Sequence, residues 1–574
     1  MFCGNKLRMK TREAYRERHD EIDTTSSTTS PPAESESVSG ARIASSSLLI
    51  SSSNSYSWSP SGVWWRDLLH FAGPGWLVSI AYVDPGNYQA DIQAGSLSRY
   101  SLLCIIWWTS ILSLYVQILC VRLAHYGGLS LAEAQARYSI SDRMRYLSWF
   151  LAEFSIVITD LPEVIGIGIA CNIFFGWPYW VGVILSLMTT MLFLMTLNIG
   201  VRFLEVIIAS FVGIMGVALF VEMNDVGVET GEMFKGWAVG FKDLQRQDFF
   251  AVLGVVGAVV MPHNLYLHTA ACQSRRVPAE HVQKAVFWSS VEPILPVIIA
   301  FFINLAVVCI AAESVYDNDS NDSNFDVGLT DFCTYFQKIA GCALWGVALL
   351  AAGQSSAITT THTGQYVMDG FLNLQLPIKA RAVLTRLVAI TPCIFTSVMF
   401  PNRLNQMVNV VNALLSFLLP FAFTPLVKFN CNEVVMGQYA SKGCEKYILH
   451  FFAFAVWLVN AVGLSVEGGG FFGDLRSGDG DGDRSEQWLW QWLLLLFEIS
   501  IQIFYAWWNW TCIRSEVRNE ILPPSNGEGD AAISGDSARG VELSSGLGLG
   551  LGGGVAGMEK NNGNFMGLAE REIL

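Results

Sequence analysis

Long runs of hydrophobic residues, separated by short polar breaks, fill the middle of the chain. About twelve such runs occur, centred near residues 80, 112, 160, 188, 212, 260, 298, 350, 390, 415, 455 and 500. Each is long enough for the roughly 20 residues that a helix needs to cross a bilayer. The pattern predicts an all-α polytopic membrane domain of about twelve helices over residues 63–512.

The two ends of the chain lack this pattern. Residues 1–62 are polar and rich in Ser and Thr, and residues 513–574 include the Gly-rich stretch "GLGLGLGGGVAG". Neither composition supplies enough apolar surface for a core, and no signal-peptide pattern opens the chain. We therefore expect a disordered N-terminal tail and a low-complexity C-terminal tail.

Composition agrees with a membrane protein, since 52% of the residues are hydrophobic and only 15% are charged. The net charge of −14 comes largely from acidic loops and tails, and no basic surface of the kind that binds nucleic acid is present. The 12 cysteines include no C-x-x-C pair. They are expected to be small buried residues, with a disulfide involving Cys333 as the alternative.

Basic residues in the short connections predict the orientation of the chain. They fall on alternate connections: Arg122, Arg137, Arg143, Arg145, Arg202, Arg275, Arg276, Lys284, Lys379, Arg381 and Arg386. The positive-inside rule places this side, and with it both termini, in the cytosol. The opposite connections are acidic, and one carries two N-x-S sequences at Asn318 and Asn321, which are candidate glycosylation sites on the outer face.

Two of the hydrophobic runs are interrupted by helix-breaking residues beside polar side chains. The first reads "SIAYVDPGNYQADI" over residues 79–92, and the sixth reads "AVLGVVGAVVMPHNLYLHTA" over residues 251–270. Proline removes a backbone donor, and hydrocarbon cannot satisfy the carbonyl that this leaves. Interrupted helices at matching positions of two five-helix halves are typical of secondary transporters with an inverted repeat and a midplane site. Ordinary proline kinks are the alternative, but they do not explain the polar residues.

The residues at the two breaks suggest a metal site. Asp84 offers a carboxylate and Asn87 a neutral amide oxygen, while Met261 offers a thioether sulfur beside the freed carbonyl of Ala258. A hard carboxylate combined with a soft sulfur favours first-row transition metals over Mg²⁺ and Ca²⁺. A methionine that only fills the core is the alternative for Met261.

Other ionisable residues lie at membrane depth. Asp160 and Glu163 are one turn apart in the third run, and His263 and His268 lie in the sixth. Each acid would cost roughly 2.5 to 3.5 kcal/mol at mid-bilayer on insertion scales, and histidine titrates near physiological pH. These residues favour proton transfer; acids near the interface and satisfied core histidines are the alternative.

Five stretches of the sequence are shared with one family. "DPGN" at 84–87 and "MPHNLYLH" at 261–268 form a specific pair, and "TDLPEVIG", "GQSSAITTTHTGQYVMDGFL" and "LPFAFTPL" agree with it. Over residues 65–510 the chain resembles the NRAMP (natural resistance-associated macrophage protein) family of proton-coupled divalent metal ion transporters.

The resemblance implies a LeuT-like inverted repeat of 5+5 helices with discontinuous helices 1 and 6, plus about two extra C-terminal helices. It implies Mn²⁺ and Fe²⁺ as substrates, with Cd²⁺ and Co²⁺ also accepted. The metal ligands it implies are Asp84, Asn87, Met261 and the carbonyl of Ala258, with that of Ala81 as a lesser candidate. The implied proton-path residues are Asp160, Glu163, His263 and His268, with Arg275 at the cytosolic end.

The chain departs from the family pattern at three positions. Leu415 and Leu418 stand in the tenth run where many relatives carry glutamine, which puts a ligand from that helix in doubt. His362 stands in the eighth run where a hydroxyl or aliphatic residue is commoner. It is either a titrating modulator of transport or a plain interfacial histidine.

We expect a symporter that imports metal ions with protons into the cytosol, and not an enzyme. It would hold no permanent cofactor, bind no nucleic acid, act as a monomer, and reside in the plasma membrane or an endosomal or vacuolar membrane. A carrier of Mg²⁺ or Al³⁺ is disfavoured by Met261. The alternative from another class is a transport-inactive metal sensor or signalling protein with the same fold, which would carry a large soluble output domain and degraded metal motifs.

Overall fold

A computed structural model describes most of the hydrophobic part of the chain. The described residues are 58–196, 213, 216–240, 244, 248–275, 277–316, 327–336, 339–374, 377–465, 484–515 and 517. Asn318, Asn321 and almost all of both tails lie outside them.

The first half of the described chain is helical, and its first membrane helix is broken. The helices are α1 (Trp64–Phe71), α2 (Pro74–Ile80), α3 (Pro85–Ser98), α4 (Leu103–Arg122), α5 (Leu131–Arg137), α6 (Asp142–Phe175), α7 (Tyr179–Thr196) and α8 (Thr230–Val239). A 3₁₀ turn over Ala81–Val83 joins α2 to α3.

The second half follows the same plan, again with a break in its first membrane helix. Its helices are α9 (Phe249–Val259), α10 (Pro262–Gln273), α11 (Val282–Val291), α12 (Ile294–Ser314), α13 (Ile339–Leu372), α14 (Ile378–Met399), α15 (Leu404–Asn430), α16 (Glu433–Met436), α17 (Cys444–Ser465) and α18 (Arg484–Arg514). The breaks between α2 and α3 and between α9 and α10 lie where the sequence predicts them.

Helices in equivalent positions of the two halves pack against each other. Helix α6 packs along α13, and α7 packs against α14; these are the third and fourth members of their halves. Helix α3 packs on α12 and α9, and α9 also packs on α15. The two broken helices therefore meet at the centre of the bundle, which confirms the predicted fold class.

Eight helices in the described part of the chain are long and apolar enough to cross a membrane. They are Leu103–Gly127, Asp142–Phe175, Phe249–Gln273, Val282–Ser314, Gly341–Leu372, Ala380–Met399, Pro401–Asn430 and Cys444–Gly463. The first and fourth predicted runs appear as the shorter apolar helices Pro74–Val83 and Tyr179–Leu192. Much of the fifth run lies outside the described residues, and the twelfth corresponds to α18.

The assignment of Arg381 and Arg386 to a cytosolic connection is wrong. Both lie in α14 with their side chains buried, and Arg381 forms an ion pair of 2.5 Å with Glu153 of α6. A guanidinium inside a membrane protein needs an anionic partner, so these residues join two helices of the bundle. They are therefore no guide to the orientation of the chain.

The disulfide alternative holds for one cysteine pair. Cys333 is bonded to Cys342, with the two Cα atoms 4.9 Å apart. Nine other cysteines in the described part of the chain are free, and six of those are buried.

Candidate metal-binding site

The first break places a carboxylate at the start of a helix. Asp84 is the N-cap of α3, and its Oδ1 accepts a hydrogen bond of 2.7 Å from the backbone N–H of Asn87. Pro85 occupies the first helical position, where a missing N–H does no harm. The same proline that ends the preceding turn therefore begins the next helix and holds the Asp84 carboxylate at the gap.

The carbonyl of Ala81 loses its helical donor because the residue four positions later is Pro85. The side chain of Asn87 replaces that donor, since its Nδ2 donates to the Ala81 oxygen and to Asp84 Oδ1, each at 3.0 Å. The amide oxygen of Asn87 then remains buried without a partner among the described residues. An unpaired buried oxygen costs roughly 1 to 3 kcal/mol, so it is well suited to meet a cation.

The second break repeats this arrangement. Ala258 lies four residues before Pro262, so its carbonyl also loses its helical donor. Met261 has an extended backbone, with φ −64° and ψ 127°, and α10 begins at the next residue. Ala258 and Met261 are both buried, which places a carbonyl oxygen and a thioether at the gap.

Neighbouring helices satisfy other carbonyls at the breaks. Asn304 Nδ2 donates to the Tyr82 oxygen at 3.1 Å, and Ser113 Oγ donates to the Val259 oxygen at 3.5 Å. Tyr82 is itself held through its hydroxyl, which lies 2.6 Å from Ser113 Oγ. Irregular backbone at membrane depth is thus covered by polar side chains of the bundle, as hydrocarbon requires.

Asn412 of α15 is a residue that the sequence analysis missed. Its Nδ2 donates to the carbonyl of Gly86 at 2.8 Å, while its Oδ1 has no partner among the described residues. A Cβ atom on Gly86 would lie 3.1 Å from Asn412 Oδ1 and 3.3 Å from Asp84 Oδ1. The two oxygens therefore flank the same glycine, and α15 brings an amide to the first break.

Leu415 and Leu418 are the tenth-run positions at which the chain departs from the family pattern. Both leucines are buried in the apolar core. Opposite Asn412, Gly257 of α9 lies so close that an added Cβ would collide with the Asn412 carbonyl and with Ser416 N. The sequence does show Asn412 as a polar residue within the apolar stretch "NVVNALLS". Only the packing of the helices shows where its side chain points.

Asp160 and Glu163 share one buried guanidinium. Arg386 Nη2 lies 3.3 Å from Asp160 Oδ1 and 3.1 Å from Glu163 Oε2, and all three side chains are buried. Thr360 Oγ1 donates to Asp160 Oδ1 at 3.1 Å, and the hydroxyl of Ser356 donates to Glu163. Two carboxylates facing one cation leave one negative charge, which a single proton would neutralise.

Of the other residues on the predicted proton path, His263 contacts a residue next to this cluster. His263 follows the second break, and its Nδ1 lies 3.2 Å from the hydroxyl of Thr159, the residue before Asp160. His268 is buried, and neither ring nitrogen has a partner in the described part of the chain. Arg275 donates to the carbonyls of His70 and Ala72. His362 is buried.

Asp84 is buried, and hydrogen bonds connect neighbouring segments on either side of it. Towards the predicted outer face, Gln89 Oε1 accepts from Leu329 N at 2.9 Å and Asn405 Oδ1 accepts from Thr330 N at 3.2 Å. Towards the predicted cytosolic face, Glu292 Oε1 accepts from the backbone N–H groups that precede and begin α2, at Gly73 and Gly75.

No group of three or more His, Cys, Asp or Glu suited to a metal ion occurs among the described residues. The candidate site instead combines one carboxylate, two amides, one thioether and freed carbonyls. A resident metal is usually held by several charged or imidazole ligands, whereas a transported ion must leave again. The mixed donor set fits a transient cation.

Two discontinuous helices that meet at a polar, buried centre define the class of secondary transporters with an inverted repeat. A family model described as "Natural resistance-associated macrophage protein-like" matches residues 75–465. The chain belongs to this Nramp family.

Named relatives and solved structures agree with this assignment. The chain is 37% identical over 395 residues to "Metal transporter Nramp2" of Populus trichocarpa, covering 65% of this chain and 72% of that protein. It is 35% identical over 421 residues to "Metal transporter Nramp3" of Arabidopsis thaliana, covering 70% and 80%. A crystal structure of the Eremococcus coleocola manganese transporter superposes with a TM-score of 0.67 at 26% identity, covering 80% of this chain and 98% of that one.

Proposed function

We propose that this protein is a secondary active transporter that couples proton movement to the import of divalent transition metal ions into the cytosol. Mn²⁺ and Fe²⁺ are the proposed substrates, with Cd²⁺ and Co²⁺ also accepted. The observation that carries the proposal is the paired break, in which Pro85 and Pro262 release the carbonyls of Ala81 and Ala258 beside the single carboxylate of Asp84. Relatives named as metal transporters and a related manganese transporter support it.

The proposed ligands are Asp84, Asn87, Met261 and the Ala258 carbonyl. The Ala81 carbonyl accepts a hydrogen bond from Asn87 Nδ2, so its use as a ligand requires that amide to turn away. We add Asn412 as the contribution of α15, because its free amide oxygen lies beside Gly86. This set mixes hard oxygens with one soft sulfur, which suits Mn²⁺ and Fe²⁺ better than Ca²⁺.

We propose that protons reach the cluster of Asp160, Glu163 and Arg386 by way of His263. The contact between His263 and Thr159 lies between the second break and these carboxylates. When the cation and the proton occupy neighbouring sites, repulsion between like charges links their movements. His268 and Arg275 continue the proposed path towards the cytosol.

Alternating access would then open one closed side at a time around a fixed site. Release of residues 327–336 from Gln89 and Asn405 would open the outer side. Release of α2 from Glu292 would open the cytosolic side, since that carboxylate caps the first N–H groups of the helix. We also propose that both termini are cytosolic, that the protein acts as a monomer, and that it resides in the plasma membrane or an endosomal or vacuolar membrane.

Metal uptake into proteoliposomes tests this function. The purified full chain should take up Mn²⁺ faster when the outer solution is acidic, and Asp84→Asn should reduce uptake to the level of empty vesicles. The matched control is Asp248→Asn, which changes a buried carboxylate that accepts from Ser98 Oγ at 2.6 Å, at the far end of α3. That variant should retain most of the uptake. Undiminished Mn²⁺ uptake by Asp84→Asn would contradict the proposal.

A further inference from the structure

A cavity of about 660 Å³ lies between α15, α17 and α18. Helix α17 contributes Lys446, His450, Phe454 and Trp457, which are spaced to lie on one face of a helix. On α15 the cavity begins at Thr424, twelve residues beyond Asn412, or about 18 Å along the helix. The cavity is therefore separate from the metal site, and its volume is typical of a small-molecule site.

One end of the cavity is basic and the other is apolar. Lys428 near the end of α15 and Lys446 near the start of α17 lie at the end where residues 431–443 connect the two helices, which is the cytosolic side in the proposed orientation. His450 lies one turn deeper, followed by Phe454 and Trp457. The path from Lys446 to Trp457 spans about 16 Å along the helix, so the cavity suits an elongated molecule with an anionic head.

Two acidic residues lie near the basic end, and each is paired mainly with another cation: Glu433 with Lys442 at 2.6 Å, and Glu445 with Arg122. Glu433 also interacts electrostatically with Lys446. The Lys428 ammonium, which is half-buried, donates to the neutral hydroxyl of Ser515. Because a partly desolvated ammonium without an anion is unfavourable, this end is suited to bind one from outside the chain.

The apolar end opens sideways between α17 and α18. Phe454, which lies in a candidate membrane span, and Trp510 of α18 line the cavity and are 54% and 57% exposed. In the proposed membrane arrangement these exposed surfaces face lipid. A ligand can thus enter from the lipid with its chain against these aromatic rings.

We propose that this cavity binds an anionic phospholipid of the cytosolic leaflet. Its phosphate lies between Lys428 and Lys446, and one acyl chain follows Phe454 and Trp457 into the cavity. Anionic lipids are enriched in that leaflet, and lysines near the membrane surface attract them. A free phosphate ester would satisfy the lysines but leave the apolar end uncovered.

Native mass spectrometry of the full chain in detergent tests the proposal. Phosphatidylserine and phosphatidylcholine with identical acyl chains are titrated in parallel, and the wild type should retain phosphatidylserine at least five-fold better. The double variant Lys428→Gln, Lys446→Gln should lose this preference. The control Lys284→Gln, which removes an exposed lysine on the proposed cytosolic side outside the cavity, should keep it.

Further measurements distinguish a bound phospholipid from a soluble phosphate ester. Glycerophosphoserine, which has the head group without acyl chains, should not displace the lipid; equal displacement would assign the site to soluble phosphate esters and overturn the lipid assignment. Equal retention of both lipids by the wild type, or an unchanged preference in the double variant, would also overturn it. If the double variant fails to fold, the exposed Lys446→Gln should weaken the preference and Lys446→Arg should restore it.

Discussion

Single residues account for the two breaks at the centre of this protein. Each proline lies four residues after an alanine, so the carbonyls of Ala81 and Ala258 lose their helical donors at the same register. At the first break Asn87 donates its amide to Ala81 and Asp84 and leaves its own oxygen unpaired. The free-energy cost of the buried carboxylate and the helix break therefore falls at a position where a bound cation would reduce it.

Met261 should control discrimination among metals. In Met261→Ala the site keeps its oxygens and loses its soft ligand, so it should resemble the oxygen-only sites that Ca²⁺ prefers. We expect Mn²⁺ uptake to fall by about ten-fold or less, with Ca²⁺ becoming a competitor. Competition between Ca²⁺ and Mn²⁺ for uptake into proteoliposomes measures this discrimination.

The matched control is Met368→Ala on α13, a buried methionine away from the breaks, which should still exclude Ca²⁺. Unchanged exclusion of Ca²⁺ by Met261→Ala would assign that side chain to packing alone.

Asn412 should contribute to metal affinity. Asn412→Ala removes both the free amide oxygen and the hydrogen bond to the Gly86 carbonyl, so the KM for Mn²⁺ should rise several-fold, while the amount of folded protein changes little. Asn430→Ala provides the comparison, because this buried asparagine of the same helix donates to Leu119 O at 3.2 Å, far from the breaks. An identical rise in KM for both variants would indicate a general effect on α15.

At the scale of elements, the guanidinium of Arg386 joins α14 to α6. One cation serves two carboxylates there, and Thr360 and Ser356 of α13 complete the contacts. Three helices therefore meet at one cluster of charges. In the proposed mechanism, protonation of the cluster changes how those helices pack and so couples a proton to a movement.

Replacing Arg386 tests this connection. Arg386→Met leaves two buried carboxylates without a cation, and breaking a buried ion pair costs roughly 3 to 5 kcal/mol. We expect a lower Tm in detergent and loss of acid-stimulated uptake, while Mn²⁺ binding at Asp84 persists in isothermal titration. In Arg381→Met, which breaks the neighbouring pair with Glu153, stability should fall but acid stimulation should remain. Acid stimulation that survives in Arg386→Met would contradict a role for the cluster in coupling.

Local sequence patterns were enough to predict the helices, the two breaks and the donors Asp84, Asn87 and Met261. Those features depend on hydrophobic runs, proline and neighbouring side chains, all of which the sequence displays directly. Arg386 was misassigned because its partners are more than 200 residues away, and Asn412 was missed because only the packing of α9 on α15 turns it towards Gly86. The basic cavity likewise has no local signature, since it forms only where three helices converge.

For the whole molecule, the proposed arrangement is one ion site beside a carboxylate cluster that takes up a proton. Residues 327–336 contact Gln89 and Asn405 towards the proposed outer side. Glu292 contacts the start of α2 towards the proposed cytosolic side. Movement of the ion and the proton through such a molecule should be inseparable if both stabilise the same rearrangement.

The central claim is that metal enters through the Asp84 site together with a proton that passes by the neighbouring carboxylate cluster. The most direct measurement records Mn²⁺ uptake and internal pH at the same time in proteoliposomes that contain a pH-sensitive dye. Added Mn²⁺ should acidify the interior of vesicles that hold the wild type, in proportion to Mn²⁺ uptake, and Asp84→Asn should abolish both signals. Mn²⁺ uptake by the wild type without any acidification would contradict the account.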